Sequence, residues 1–246
     1  MLPYVQAAYG TPSTLSFGNH TISSSEGVQQ GDPLGPLLFC LVIQPTLQQL
    51  QSEFKAAYLD DITIAGNPSQ VVQDILHIKN QADKVGVELN LAKCEVISPS
   101  QTSRETILQS FSGIQITPPE QATLLGTTLH ESMLGQMINK KLECLRLMQI
   151  RLRNLPSQDG MFLLRNALAM PRMMYILRTA PCFLSDALQN YDLTLREILC
   201  EILNLDFTDE QWTQATLPIK NGGIGIRSAV KLAPSAFLAS AAGSEN

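Results

Sequence analysis

The chain has 246 residues, of which 44% are hydrophobic and 16% are charged. This composition excludes a generally disordered protein and is enough for one or two packed domains, and the longest apolar run, LGPLLFCLVI (34–43), is about half the ~20 residues that span a bilayer. The formal net charge of −5 argues against a polyanionic partner for the chain as a whole.

The first fifty residues predict a hairpin followed by a helix. The N-terminal MLPYVQAAYG has neither the basic nor the apolar region of a signal peptide. Residues 11–28 predict a turn and a short β-hairpin around Phe17–Gly18–Asn19–His20. In the stretch 29–51, Asp32 is the predicted N-cap and Pro33 the first helical residue, because proline needs no N–H partner there. Pro45 is expected to kink or interrupt this helix.

The stretch FKAAYLDDITIAG (54–66) predicts a second β-hairpin with Asp60 and Asp61 at or near its tip. One interpretation is turn chemistry, because aspartate tolerates turn backbone and accepts hydrogen bonds from nearby amides. The other is metal binding, because adjacent carboxylates repel one another unless a cation lies between them, and Mg²⁺ prefers such oxygen ligands. The residues of this stretch alone leave both interpretations open.

The remaining elements change in character near residue 130. A helix capped by Ser69 and ended by Gly86 is predicted first, then β-like runs in VELNL, CEVIS, TILQSFSGIQI and ATLLGTTL. From Met133 the pattern predicts three long helices, and then a glycine-rich turn and a helix of small residues. The second helix is interrupted at Pro171, and the first carries an apolar stripe of Leu134, Ile138, Leu142, Leu145, Leu152 and Leu155. The sequence therefore predicts an α+β fold in two parts, residues 1–130 and an all-α part, residues 131–246.

The basic residues are concentrated in one segment of the chain. Between Lys140 and Arg178 eight basic residues accompany two acidic ones, a local charge of +6 that leaves −11 on the rest of the chain. Residues 1–54 contain no Lys or Arg.

The five cysteines are scattered without a CxxC pair, which argues against a zinc site. The same pattern predicts reduced thiols in an intracellular protein, in the cytoplasm or nucleus.

Four motifs occur in a specific order: QGDPLGPLLF (30–39), YLDD (58–61), ELNLAKCEVI (88–97) and LLGTTL (124–129). Together they resemble the palm of reverse transcriptases from non-LTR (LINE-like) retrotransposons, with the match covering roughly residues 25–130. The resemblance implies a partial palm, an antiparallel sheet with helices, over 1–130 and a helical thumb-like region and tail over 131–246.

The resemblance also implies roles for individual residues. The catalytic residues would be Asp60, Asp61 and Lys93, with Mg²⁺, or Mn²⁺ in its place, held weakly by Asp60 and Asp61, and with Lys93 protonating the departing pyrophosphate. An RNA template, a DNA primer and the incoming nucleotide would meet Gln30, Gly31, Asp32, Pro33, Tyr58, Leu59, Leu125 and Gly126. The phosphate backbone would be followed by Lys140, Lys141, Arg146, Arg151 and Arg153. Each role has a simpler alternative. QGDP would only cap a helix, and Lys93 would be a solvated surface lysine. LLGTTL would be an ordinary strand pair, and the basic residues from Lys140 to Arg153 would form a solvated helix face.

The sequence departs from the family pattern before the QGDP motif. A further catalytic aspartate on an upstream strand is expected but absent, since Glu26 is the first acidic residue, and the cationic fingers are absent too. The expectation is a truncated RNA-directed DNA polymerase with little or no activity on its own. The alternatives are a non-catalytic nucleic-acid-binding protein derived from a retroelement and a helical interaction module. No membrane partner is expected, and the oligomeric state stays open.

Overall fold

The computed structural model describes residues 2–29 and 31–244. The chain forms two compact units, residues 1–116 (unit 1) and 117–246 (unit 2). Helices and small antiparallel sheets are mixed along the chain, which confirms the α+β composition. In the described part of the chain, no helix is both long and apolar enough to cross a membrane.

In its described residues, unit 1 combines four α-helices with short hairpins. Its helices are α1 (Leu2–Tyr9), α2 (Gly35–Gln48), α3 (Pro68–Lys84) and α4 (Gln101–Ser110). Its strands are β1 (Ser13–Phe17), β2 (His20–Ser24), β3 (Phe54–Tyr58), β4 (Asp61–Ala65), β5 (Glu95–Ile97) and β6 (Gln115–Thr117), the last of which ends at the boundary with unit 2. The predicted hairpin around Phe17 and His20 is confirmed, since these two residues face each other across the β1–β2 turn.

The predicted start of α2 is wrong by two residues. The helix begins at Gly35, with Leu34 as its N-cap and Pro36 in the first turn, where proline's missing N–H costs nothing. Asp32 instead lies in the preceding turn, where its carboxylate accepts the Leu34 amide at 2.9 Å. The helix is not interrupted at Pro45 but continues to Gln48.

A further correction concerns α3 and α4. The cap of α3 is Asn67, whose side chain accepts the Ser69 amide at 3.0 Å, so Ser69 lies inside the helix. The run TILQSFSGIQI is helical in its first half, because Ser100 caps α4 and Ile107 and Phe111 are spaced four apart and both buried. VELNL forms no strand, and a 3₁₀ turn follows it at Leu91–Lys93.

The core of unit 1 lies between α3 and α4. It consists of the buried side chains of Val72, Ile107, Phe111 and Ile114. All five residues of β3 are exposed, so the β3–β4 hairpin stands outside this core. Its position depends instead on polar contacts at its base, described below.

Unit 2 is mainly helical. Its hairpin comprises β7 (Thr123–Leu124) and β8 (Thr127–Thr128). The helices are α5 (Leu134–Leu152), α6 (Ser157–Leu163), a π-helical segment (Leu164–Leu168), α7 (Met170–Thr179), α8 (Ala187–Leu203), α9 (Asp209–Thr216) and α10 (Ala229–Ser244). The predicted interruption at Pro171 is confirmed, because Pro171 lies in the first turn of α7, directly after the π-helical segment.

The core of unit 2 is a single hydrophobic cluster from α5, α7, α8 and α10. The predicted apolar stripe of α5 is buried as expected at Leu134, Ile138, Leu142, Leu145 and Leu152, whereas Leu155 lies beyond the helix and is 41% exposed. All five cysteines of the chain are free thiols.

Candidate functional site

The two predicted metal ligands lie at the turn of the β3–β4 hairpin. Tyr58 pairs with Asp61 across the ladder, so Leu59 and Asp60 form a two-residue turn. Both carboxylates are exposed, and neither has a hydrogen-bond or ion-pair partner among residues 2–29 and 31–244. The hairpin therefore presents two adjacent, unpaired carboxylates to solvent.

The backbone of this turn is strained at a non-glycine residue. Leu59 has a φ of 55°, in the left-handed region that side chains with a Cβ rarely adopt. Among the described residues, only Leu125 and Asn204 share this property outside glycine. Asn204 ends α8, where such a conformation is common, whereas Leu59 and Leu125 each lie in a hairpin singled out from the sequence. Strained backbone of this kind is concentrated at functional sites.

The chemistry of Asp60 and Asp61 fits a hard divalent cation. Mg²⁺ is commonly bound by one or two carboxylates while it keeps several waters and contacts substrate phosphates. Two solvated carboxylates on a stiff hairpin match that pattern and leave room for such waters. In the described ranges, no three His, Cys, Asp or Glu side chains come together as a metal-binding cluster. The two carboxylates would therefore hold an ion weakly.

The base of the same hairpin is held by a buried carboxylate on α3. Asp74 is 3% exposed and accepts the backbone amides of Gln51 and Ser52 and the Ser52 hydroxyl, at 2.6–3.1 Å. Burial alone would raise the pKa of Asp74, but the hydrogen bonds from Ser52 and Gln51 outweigh it and lower the pKa. Lys55 adds a second contact by donating from Nζ to the Leu50 carbonyl at 2.6 Å. The strand that leads to Asp60 thus begins from a fixed point.

The QGDP loop is closed by polar contacts from α1. The Tyr9 hydroxyl donates to Asp32 Oδ2 and accepts the Gln29 amide at 3.2 Å, and the Tyr4 hydroxyl reaches Asp32 Oδ1 at 3.5 Å. The hydrogen bonds from Tyr9 and from the Leu34 amide lower the pKa of Asp32, and the bond to Asp32 raises the pKa of Tyr9. Asp32 is therefore an ionised anchor of the loop.

The other residues of this motif are less constrained. Gly31 has a φ of 92°, and a Cβ added there would meet no atom within 4 Å, so glycine is needed for the backbone conformation rather than for space. Pro33 is exposed. Gln30 lies outside the described residues.

Lys93 and Tyr58 are both accessible to a substrate. Lys93 is exposed at the end of the 3₁₀ turn that precedes β5. Tyr58 is 63% exposed beside the strained turn. The predicted catalytic and template-binding residues of the described QGDP, YLDD and ELNLAKC motifs all belong to unit 1.

The LLGTTL hairpin belongs to unit 2 and is attached to α7. Leu125, with a φ of 48°, and Gly126, with a φ of 81°, form the turn between β7 and β8. The Leu125 carbonyl accepts a hydrogen bond from the Tyr175 hydroxyl, and the hydroxyls of Thr127 and Thr179 are 3.2 Å apart. The side chain of Leu125 is 49% exposed, so a helix fixes the backbone while the turn stays open to solvent.

The basic residues of α5 are not equivalent. Lys140, Arg146 and Arg151 are exposed, whereas Lys141 is half-buried. Arg153 forms a two-point ion pair with Glu201 of α8, at 2.7 and 2.8 Å, and is engaged within the protein. The exposed apolar side chains of Leu147 and Ile150 share the outer face of the helix. The positive surface of α5 is therefore smaller than the sequence suggests.

Comparison with protein families decides the wider assignment. A model described as reverse transcriptase (RNA-dependent DNA polymerase) matches residues 2–129, more than half of the chain. The chain belongs to the reverse transcriptase family. The match contains the QGDP loop, the YLDD hairpin, Lys93 and the LLGTTL turn.

Two curated relatives come from non-LTR retrotransposons. The retrotransposable element SLACS 132 kDa protein of Trypanosoma brucei gambiense is 27% identical over 223 residues, covering 87% of this chain and 18% of the relative. The retrovirus-related Pol polyprotein from type-2 retrotransposable element R2DM of Drosophila melanogaster is 28% identical over 257 residues, covering 94% of this chain and 24% of the relative. The chain thus spans between about a fifth and a quarter of the length of these relatives.

Several residues that hold the predicted site loops of the two units carry no sequence signal of their role. Asp74 lies among ordinary polar positions of α3, and Tyr9 and Tyr175 look like scattered aromatics. Each acts on a loop more than 20 residues away in the chain. The sequence gives no sign of the backbone strain at Leu59 and Leu125 either, since leucine has no turn preference. The adjacency of Leu125 to Gly126 is the one local hint.

Proposed function

We propose that this chain is part of the RNA-directed DNA polymerase of a retroelement, acting inside the cell on an RNA template and a DNA primer. The observation that carries the proposal is the pair of unpaired carboxylates, Asp60 and Asp61, at a strained hairpin turn in a chain of the reverse transcriptase family. Polymerisation joins the primer 3′-oxygen to the α-phosphorus of a nucleoside triphosphate and releases pyrophosphate.

The residues of unit 1 divide this chemistry between them. Asp60 and Asp61 would hold Mg²⁺, which when bound would supply activation of the attacking oxygen and stabilisation of the leaving one. Tyr58 and Leu59 adjoin the primer end and the incoming nucleotide. The loop Gln30–Pro33 contacts the template, and Lys93 gives a proton to the departing pyrophosphate. In unit 2, Leu125 and Gly126 contact the primer.

Metal binding at the turn has a direct test. Titration of Mn²⁺ into the ¹⁵N-labelled chain should broaden the amide signals of residues 58–63 first, because Mn²⁺ replaces Mg²⁺ at oxygen ligands and broadens nearby resonances. Asp209 and Glu210 provide an internal comparison, since they are also adjacent and exposed but Asp209 is paired with Arg196. Asp60→Asn with Asp61→Asn should remove the early broadening. Broadening that begins at 206–210 would refute the assignment.

Activity of the chain on its own is expected to be negligible. By the family pattern, residues 1–246 supply two of three metal-binding carboxylates, so a divalent metal would be held poorly. Primer extension on an RNA template should equal that of an Asp60→Ala, Asp61→Ala double variant. Incorporation clearly above that control would show that the two carboxylates suffice.

A second candidate function is nucleic-acid binding without catalysis. The exposure of Lys140, Arg146 and Arg151 on one helix favours it, because cations on neighbouring turns contact successive phosphates whatever the base sequence. Such binding would persist in a chain that does not polymerise. The two functions therefore separate when primer extension and RNA binding are measured on the same preparation.

A further inference from the structure

One hydroxyl group closes the loop that carries the QGDP motif. The Tyr9 hydroxyl accepts the amide of Gln29 on one side of the loop and donates to the Asp32 carboxylate on the other. The side chain of Gln29 is held as well, because its Nε2 donates to Ser13 Oγ at 2.8 Å. Gln29 and Asp32 are thus both tied to the segment that precedes them in the chain.

The carboxylate of Asp32 has its acceptor positions occupied by the protein. Oδ2 accepts from Tyr9, and Oδ1 accepts from the Leu34 amide and, at longer range, from Tyr4. The backbone carbonyl of Asp32 accepts from Gly35 at 3.0 Å, which joins the loop to the start of α2. An ionised carboxylate repels a phosphate backbone, and the hydrogen bonds within the loop hold Asp32 in place without removing its charge. Asp32 is therefore unsuited to direct contact with a polyanion.

Helix α1 contributes polar contacts rather than core packing. None of the side chains of Leu2–Tyr9 is buried. Its two tyrosines, five residues apart, nevertheless both reach the same carboxylate. Because α1 has no buried side chain, it holds the QGDP loop through the hydroxyls of Tyr4 and Tyr9, which both reach Asp32.

We propose that Tyr9 is a positioning residue which, acting through Asp32, fixes the backbone of Gly31–Pro33 for contact with a single-stranded RNA template. The inference rests on the proposed template role of this loop. The template contacts then come from exposed backbone at Gly31 and from Pro33, and Asp32 is an internal anchor. A loop fixed before binding loses less conformational entropy when the strand arrives, so its affinity depends on the Tyr9 hydroxyl.

Tyr9→Phe keeps the ring and removes only the hydroxyl. We expect amide hydrogen exchange at Gln29 and Leu34 to accelerate at least about tenfold, because opening of the loop no longer breaks the bridge. Tyr4→Phe is the matched control, since its 3.5 Å contact is at the limit of a hydrogen bond and its loss should change exchange less than about twofold. Circular dichroism should show both variants folded.

RNA binding supplies a measurement that a purely structural role would not change. A single-stranded oligoribonucleotide should shift the wild-type amide signals of residues 29, 31, 32 and 34, and Tyr9→Phe should weaken its affinity about fivefold with an unchanged unfolding temperature. Tyr9→Phe combined with Asp32→Asn should lose no more than the worse single variant, because the two residues act as one unit.

The outcomes are distinct. If the wild-type amide signals of the loop do not shift when RNA is added, the template role is overturned, and with it this inference. Loop signals that respond to RNA, together with exchange and affinity in Tyr9→Phe equal to those of Tyr4→Phe, would overturn the role of Tyr9 alone. Additive losses in the double variant would show that Tyr9 does not act through Asp32.

Discussion

Reversal of three charges on α5, with Lys140→Glu, Arg146→Glu and Arg151→Glu together, should abolish most of the salt dependence of single-stranded RNA binding. These side chains are exposed, and each phosphate that a cation neutralises releases condensed counterions. Lys141 and Arg153 are left unchanged because Lys141 is half-buried and Arg153 is paired with Glu201. Lys140, Arg146 and Arg151 therefore form the accessible part of the positive surface of α5.

The expected size of the effect follows from the number of phosphates. With about three phosphates contacted, the slope of log K against log salt is near −2, so affinity falls roughly 20-fold between about 50 mM and about 200 mM salt. In the triple variant the slope should approach zero, and binding at low salt should be barely measurable. The −11 carried by the rest of the chain opposes binding, but exposed charges beyond ~8 Å are largely screened at physiological salt.

The matched control reverses three cations elsewhere. Lys79, Lys84 and Lys220 are exposed and lie outside α5, so Lys79→Glu, Lys84→Glu and Lys220→Glu change the net charge by the same amount. This control should keep most of the wild-type slope. Equal losses in both triple variants would attribute the effect to net charge rather than to α5. Salt-independent wild-type binding, or none at about 50 mM salt, would reject the nucleic-acid interface and favour a protein-interaction role for the exposed Leu147 and Ile150.

The elements that the sequence predicts well are those with a strong local pattern. The stripe from Leu134 to Leu152 recurs at helical spacing, and the structure buries all five of its members. The YLDD hairpin alternates at period two and ends in Gly66, and it forms the expected antiparallel pair. In α5 one periodicity determines both the element and the face that it buries, whereas in the hairpin it determines only the strand pair, because all five residues of β3 are exposed.

Where the sequence misleads, two local signals compete. Asp32–Pro33 and Gly35–Pro36 both resemble helix starts, and the later one prevails because the Asp32 side chain accepts the Leu34 amide and forms a turn before α2. The run around Ile107 and Phe111 fits alternation as well as helical spacing. Its helical state depends on the Ser100 cap and on packing against Val72, which are not visible in the run itself.

At the candidate site, the sequence fails to predict the groups that hold the loops in place. The carboxylates at 60–61 are evident because they are adjacent, but the groups that hold their hairpin are distant in sequence. Asp74 meets Ser52 only because α3 folds back beside the start of β3, and Tyr9 meets Asp32 only after the β1–β2 hairpin reverses the chain. Long-range polar contacts of this kind have no period that could reveal them.

Removal of the Asp74 carboxylate should therefore have the largest effect on the stability of unit 1. Asp74→Ala leaves the buried amide and hydroxyl of Ser52 and the partly buried amide of Gln51 without acceptors, at a cost of about 3 kcal/mol. Amide exchange in α3 and β3 should accelerate about 100-fold, whereas Asp83→Ala, an exposed aspartate of the same helix, should change little. The Asp60–Asp61 turn would lose its fixed base, so early Mn²⁺ broadening at 58–63 should weaken as well. Wild-type exchange rates in Asp74→Ala would refute the anchoring role.

The pH dependence of the same anchor gives an independent check with a definite sign. Asp74 has a pKa lowered from its ordinary 3.8, because the hydrogen bonds from Ser52 and Gln51 favour the ionised form more than burial opposes it. A lowered folded-state pKa means that this stabilisation is fully present above about pH 4 and is lost as the pH falls through the folded value. Asp74→Asn keeps the shape but cannot ionise. The difference in unfolding free energy between wild type and Asp74→Asn should be constant from about pH 7 to about pH 5 and should shrink as the pH falls below about 4. If that difference instead stays constant down to the acid limit, then Asp74 does not stabilise unit 1 as an ionised acceptor.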